Sequence, residues 1–200
     1  MQLILATRNA HKVREIDQIL GLKFPIRGLS TSDQVAEIDE SGSSYEENAI
    51  LKAVTVSRQL SGLIVGDDSG LEVDALGGAP GIYSARYVGP NATNEERIQK
   101  LLDELTKVHA KGDQRIARFR CVLAVANAGK LLGTFEGIAE GKIAETARGT
   151  HGFGYDPIFI PDGFAKTFAE LPTEVKNNIS HRAKAIRKLK PELPALCGAI

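Results

Sequence analysis

Apolar positions along the chain follow two rhythms, short unbroken runs and stripes that recur every three to four residues. Residues 2–6 form an apolar run, and a polar loop, Thr7-Arg8-Asn9-Ala10-His11-Lys12, separates it from a stripe of Val13, Ile16 and Leu20. That order predicts a strand, a loop and an amphipathic helix. Residues 24–29 read as a second strand. Ala49, Ala53, Val56 and Leu60 then mark a helix opened by Ser44 and Glu47, the spacing of a capping box. Leu63-Ile64-Val65 has the branching of a buried strand that stops at Gly66-Asp67-Asp68-Ser69-Gly70, where Gly66 and Gly70 permit a bend. Thr93 with Glu96 predicts another capped helix, with Ile98, Leu101, Leu102 and Leu105 inward. Residues 116–125 alternate through Ala117, Phe119, Cys121, Leu123 and Val125, and a turn at Asn127-Ala128-Gly129-Lys130 predicts an antiparallel return over 131–144. Ile158-Phe159-Ile160 is a short strand, and Ser180 caps a final helix running to Leu189.

Strands interleaved with helices predict an α/β fold with a mixed sheet. Two hundred residues, 42% of them hydrophobic, suffice for one domain or one domain with a small lobe. Formal net charge is zero, so the chain carries no overall electrostatic footprint for nucleic acid. Charge is uneven, however: Asp33, Glu37, Asp39, Glu40, Glu46 and Glu47 fall in residues 31–50 with no Lys or Arg, while residues 176–190 are strongly basic. Two cysteines without metal-site spacing, no signal-peptide pattern and no long apolar run give the expectation of a soluble, cytoplasmic protein in a reducing compartment.

Several loops carry candidate chemistry. The polar loop at 7–12 precedes a helix, whose N-terminal N–H groups and dipole favour an anion such as phosphate; Thr7, Asn9 and Lys12 add donors. Asp67 and Asp68 bring two carboxylates together, and strand alternation sends them to opposite faces unless the chain bends. Glu40 precedes the Ser44 cap, in a loop from which it can reach a cation, whereas Glu47 reads as a cap. Lys52 lies beside the buried stripe of its helix and is placed to reach a cleft. Gly77-Gly78-Ala79-Pro80-Gly81 reads as a loop laid against a ligand or another backbone. In His151-Gly152-Phe153-Gly154-Tyr155-Asp156-Pro157, glycines flank an aromatic ring able to stack on a planar base. Arg182 at a helix start opposes the dipole unless an anion or acceptor lies nearby.

Taken in order, Thr7-Arg8-Asn9-Ala10-His11-Lys12, Glu40 with Glu47-Asn48-Ala49, Gly66-Asp67-Asp68-Ser69-Gly70, residues 77–86, Phe153-Gly154-Tyr155-Asp156-Pro157 and Ser180-His181-Arg182 closely resemble the inosine triphosphate pyrophosphatase family. These are the non-canonical purine NTP pyrophosphatases, acting on ITP, dITP and XTP. The resemblance spans nearly the whole chain, as a single domain over 1–200. It implies an elongated two-lobed α/β fold with a central mixed sheet flanked by helices and a nucleotide cleft between the lobes, magnesium dependence and a homodimer with neither nucleic-acid nor membrane partners. Carried over by motif, Thr7, Arg8, Asn9, Ala10, His11 and Lys12 hold phosphates; Lys52, by its helical spacing, is a further candidate to contact substrate. Glu40 and Asp68 hold Mg2+, with Asp68 as base. Ser69 contacts substrate, Phe153, Gly154, Tyr155 and Asp156 cradle the purine, and Lys176, His181 and Arg182 complete its pocket. Arg8 and His11 stand where many members carry Gly. Asp67 is a further ligand or a support. Two competing readings are a phosphatase with an aspartyl nucleophile, suggested by the Asp pair, and a non-catalytic nucleotide or RNA binder, suggested by Phe153 and the basic C-terminal helix.

Overall fold

The computed structural model describes residues 2–36 and 38–198; Glu37 of the acidic run lies outside them. Strand β1 (Leu3–Leu5) leads into helix α1 (Ala10–Leu20) and β2 (Ile26–Arg27), and helix α2 (Tyr45–Ser57) precedes β3 (Ile64–Val73). Helix α3 (Asn94–Lys107), the long strands β4 (Ile116–Asn127) and β5 (Lys130–Ile143), the short β6 (Phe159–Pro161) and helices α4 (Thr173–Ile179), α5 (His181–Leu189) and α6 (Leu193–Gly198) complete the order. The strands form one sheet in the order β2-β1-β3-β4-β5-β6. It is mixed: β1 pairs in parallel with β2 and β3, with Ile4 opposite Ile64, while β5 and β6 are antiparallel. This is the α/β architecture that the interleaved patterns predict.

The chain divides into two compact units, one of Met1–Asp68, Cys121–Gly137 and His181–Ile200, the other of Ser69–Arg120 and Ile138–Ser180. In the first, Leu3, Leu5, Val65, Leu123 and Val125 pack with Ile16 and Leu20 of α1 and Ile186 and Leu189 of α5. Ile4 and Ile64 point the other way, into a cluster with Val56 of α2. Both faces of these strands are therefore covered, which is why they read as unbroken apolar runs. The second unit is built on Leu71, Val73, Ala117 and Phe119 with Leu101 and Leu105 of α3. Phe119 and Phe159 meet there in a tilted pair with centroids 4.7 Å apart. The Thr93 hydroxyl accepts from the Glu96 N–H and the Glu96 carboxylate from the Thr93 N–H, the predicted capping box.

Two expectations change. The second strand is only Ile26–Arg27. More consequentially, the strand at 63–65 does not stop at Gly66; β3 runs on through both aspartates to Val73. Gly66 serves close approach rather than a bend, because a Cβ there would lie 2.1 Å from the Ala49 carbonyl oxygen of α2. The missing side chain lets α2 settle onto the strand's backbone and brings its residues within reach of Asp68. In the loop at 77–81, by contrast, a Cβ on Gly77, Gly78 or Gly81 would meet open space, and all three adopt positive φ. Glycine is required there by backbone conformation, not by a neighbour pressing on it.

Candidate active site

Because β3 stays extended, Asp67 and Asp68 leave it on opposite faces. Both are buried, yet their surroundings differ in kind. Asp67 meets cations: Arg182 donates from Nε to Oδ2 at 2.8 Å and from Nη2 to Oδ1 at 3.4 Å, and Lys12 Nζ pairs with Oδ1. The Cys121 thiol adds a contact to Oδ2 at 3.4 Å. Behind Arg182 stands Glu15 of α1, which accepts from Nη1 at 2.6 Å. Burial opposes the charge on Asp67, but Arg182 and Lys12 outweigh it and hold the carboxyl well below the usual carboxylate range. The same burial, reinforced by Asp67, pushes the Cys121 thiol up and leaves it an inert neutral donor.

Asp68 faces α2. Lys52 Nζ donates to its Oδ1 at 2.7 Å and pairs with Glu40 Oε1 at 2.6 Å, while Asn48 Nδ2 approaches Oδ2 at 3.4 Å. Lys52 also donates to the Asp67 carbonyl at 3.2 Å. Asn48 and Lys52 are four residues apart, so α2 presents both from one face. Here burial wins: it pushes the Asp68 carboxyl above the usual range despite Lys52, and Glu40 adds to the rise. Lys52, opposed by its own burial, is nevertheless kept firmly protonated by Asp68 and Glu40.

Two carboxylates thus converge on one cationic atom, with a summed formal charge of −1 over Glu40, Asp68 and Lys52. Among the described residues no group of three or more His, Cys, Asp or Glu side chains assembles as a metal cage. A sparse, all-oxygen pair of this kind fits magnesium, which keeps several waters and shares its remaining positions with phosphates. Asp67, saturated by Arg182 and Lys12, has the surroundings of a support.

The 7–12 loop is exposed apart from the half-buried Thr7 and Lys12. Asn9 caps α1, its Oδ1 accepting from the His11 and Lys12 N–H groups, and the Thr7 hydroxyl accepts from the Asn9 N–H. Arg8 turns back to donate to the Val35 carbonyl at 2.6 Å, and Ala10 and His11 stay exposed at the helix start. Ser44 accepts from the Glu47 N–H as predicted, but the Glu47 carboxylate closes on the N–H and hydroxyl of Ser43, one residue earlier than a capping box requires.

A second cluster lies within the other unit. Asp156, itself buried, accepts from the Phe153 N–H at 2.8 Å and from Lys176 Nζ at 2.6 Å, and Lys176 sits 5.0 Å from the Phe153 ring centroid. The Phe153 ring is half-buried and Gly154 turns the loop with φ +63°. Tyr155 points into the core and donates to the Ser84 carbonyl at 3.1 Å, the ordinary fate of a loop aromatic. Ser69 continues β3, half-buried. His181 and Arg182 open α5, both buried; Arg182 is 1% exposed and commits Nε, Nη1 and Nη2 to carboxylates. The anion that a helix-start Arg calls for is therefore supplied by the chain itself, as Asp67 and Glu15. Glu15, Asn48 and Cys121 are given no separate role by the sequence pattern. Only Asn48 left a signal, its four-residue spacing from Lys52.

Residues 3–192 match the model of the Ham1 family. The chain is 47% identical over 195 residues to the dITP/XTP pyrophosphatase of Bacillus subtilis (strain 168), an alignment covering 97% of this chain and 98% of that protein. Among solved structures, a HAM1 protein from Coxiella burnetii superposes with a TM-score of 0.85 at 40% identity, covering 98% of this chain and 99% of that one. The Ham1 protein of Staphylococcus aureus gives 0.84 at 39% identity, covering 98% of this chain and all of that one. With the family model spanning nearly its whole length and relatives of this identity at full coverage, the chain belongs to the Ham1 family.

Proposed function

We propose that this chain is a nucleoside-triphosphate pyrophosphatase that hydrolyses non-canonical purine nucleotides such as ITP, dITP and XTP to the monophosphate and pyrophosphate, with Mg2+ held by Glu40 and Asp68. The observation that carries the reading is the convergence of those two carboxylates on Lys52 Nζ, at 2.6 and 2.7 Å. The full-length similarity to proteins named dITP/XTP pyrophosphatase supports the substrate class. The family match over residues 3–192 supports treating both units as one functional domain.

Phosphoryl transfer needs positioning and charge neutralisation more than covalent help. A metal held by Glu40 and Asp68 would supply Lewis acidity toward the phosphates. Asp68 orients the attacking water and takes its proton, a task suited to a carboxyl whose pKa burial has raised. Lys52 keeps the two carboxylates from repelling one another, and Lys12 with the exposed 7–11 loop receives the phosphates. Arg182 and Glu15 hold Asp67, and through it Lys12. At the base end Phe153 stacks the purine, and Lys176, a donor without acceptor capacity, addresses a C6 carbonyl. ATP presents an amino group there, donor against donor, and a site built on hydrogen bonds rejects such a mismatch by roughly 10⁴-fold. The reading carries with it a homodimer, which sedimentation velocity checks.

Product analysis of ITP turnover is the test. Inosine monophosphate and pyrophosphate are the expected products; orthophosphate as primary product would return the assignment to an aspartyl-nucleophile phosphatase, and tight nucleotide binding without turnover to a binder.

A further inference from the structure

We infer that Asn48 is a positioning residue that fastens the Glu40 turn and the Asp68 carboxylate into one arrangement, and so sets the spacing of the proposed metal ligands. The inference rests on the pyrophosphatase reading above. Asn48 is completely buried in the first turns of α2. Its Oδ1 accepts from the Gly42 N–H at 2.9 Å, two residues beyond Glu40, and its Nδ2 faces Asp68 Oδ2 at 3.4 Å. The two neighbours demand opposite chemistry, since a backbone N–H only donates and a carboxylate only accepts. A primary amide is the short side chain that offers both in one plane. Asp in its place would set carboxylate against carboxylate, and an apolar residue would strand a buried carboxylate oxygen and an N–H.

The turn is shaped to be held there. A Cβ on Gly42 would lie 2.7 Å from Asn48 Oδ1 and 2.8 Å from Glu47 Cβ, so only glycine allows the backbone this close. Ser43 and Ser44 are tied to Glu47 immediately afterwards. The Asp68 oxygens are then divided, Oδ1 to Lys52 and Oδ2 to Asn48, while Lys52 also holds Glu40. Asn48 therefore touches neither the substrate nor the proposed metal, but fixes both groups that would. Outer partners of metal ligands are worth about 10–100-fold in metal affinity or activity.

Asn48→Ala and Gly42→Ala break the clamp from its two ends, and Gly42 lies in a turn where substitution spares the core. Two readouts are taken on each: binding of Mn2+ by electron paramagnetic resonance with a non-hydrolysable α,β-imido analogue of ITP, and ITP turnover as Mg2+ is raised. We expect both variants to bind Mn2+ about tenfold more weakly and to need correspondingly more Mg2+ for half-maximal rate, with kcat at saturating metal and KM for ITP largely kept. Wild-type Mn2+ binding in Gly42→Ala, or a lower kcat at unchanged metal dependence, overturns the inference even if Asn48→Ala does not fold. Should the wild-type protein itself release no pyrophosphate, the functional reading falls instead.

Discussion

Asp67 and Asp68 are neighbours on one strand, both buried, and the structure gives them opposite electrostatic surroundings. Asp67 lies among Arg182, Lys12 and Cys121, with Glu15 closing the chain of charges, and is held firmly ionised. Asp68 shares Lys52 with Glu40 and is pushed toward protonation by burial. A carboxylate whose charge is fully answered by the protein has none left to offer a ligand; one that shares its countercharge with a second carboxylate keeps the capacity to take a metal and a proton. Alternation along an extended strand turns a repeated residue into two different groups.

The substitution that should break this comparison hardest is Asp68→Asn, which removes a hard anionic ligand and the proposed base together. Turnover should fall by about 10³-fold or more, with the circular dichroism spectrum unchanged; near-normal kcat at saturating magnesium would overturn the role. Asp67→Asn should act on stability instead. It leaves Arg182 buried against a missing charge, a loss of about 3–5 kcal/mol, read as a lower denaturation midpoint, with a smaller effect on turnover than Asp68→Asn. The signs follow from the pKa shifts. Asp67, depressed in the fold, contributes stability that is present above the ordinary Asp value of about 3.9 and is lost as pH falls toward its folded value. Asp68, raised in the fold, opposes folding once ionised, so Asp68→Asn at neutral pH should leave the melting temperature level or higher. The stability gap between wild type and Asp67→Asn should narrow as pH drops below about 4.

A finer distinction concerns Arg182 and Lys176. With its nitrogens committed to Asp67 and Glu15, Arg182→Ala should lower kcat/KM for ITP and ATP by a common factor. Lys176→Ala should shrink the ratio between them by about 10-fold or more. A ratio that collapses in Arg182→Ala would give the base-reading role to α5. Smallest of all, Thr93→Ala removes a cap from α3 and should cost about 1 kcal/mol of stability with unaltered kinetics.

What the sequence made legible was local. The caps at Ser44 and Thr93, the stripe of α3, the alternation of β4 and the reversal at Ala128-Gly129 all follow from residues a few positions apart. The Asp67–Arg182 and Glu15–Arg182 pairs join residues 115 and 167 positions apart, and no periodicity reports such a contact. Gly66 illustrates the same limit from the other side. Its composition suggests a bend, and only the Ala49 carbonyl lying where a Cβ would be shows that the strand is straight and the helix is what needed the space. Helical spacing sets Lys52 beside the buried stripe, and that close packing carries it to Asp68.

The bond that water attacks separates the competing reactions. Under the proposed function, in which Asp68 places a water and the 7–12 loop receives the phosphates, attack would fall on the α-phosphorus. Hydrolysis of ITP in oxygen-18 water under single-turnover conditions reads this directly by mass spectrometry: label in the monophosphate, with unlabelled pyrophosphate, is the predicted result. Label in the pyrophosphate would place the attack on the β-phosphorus and contradict it.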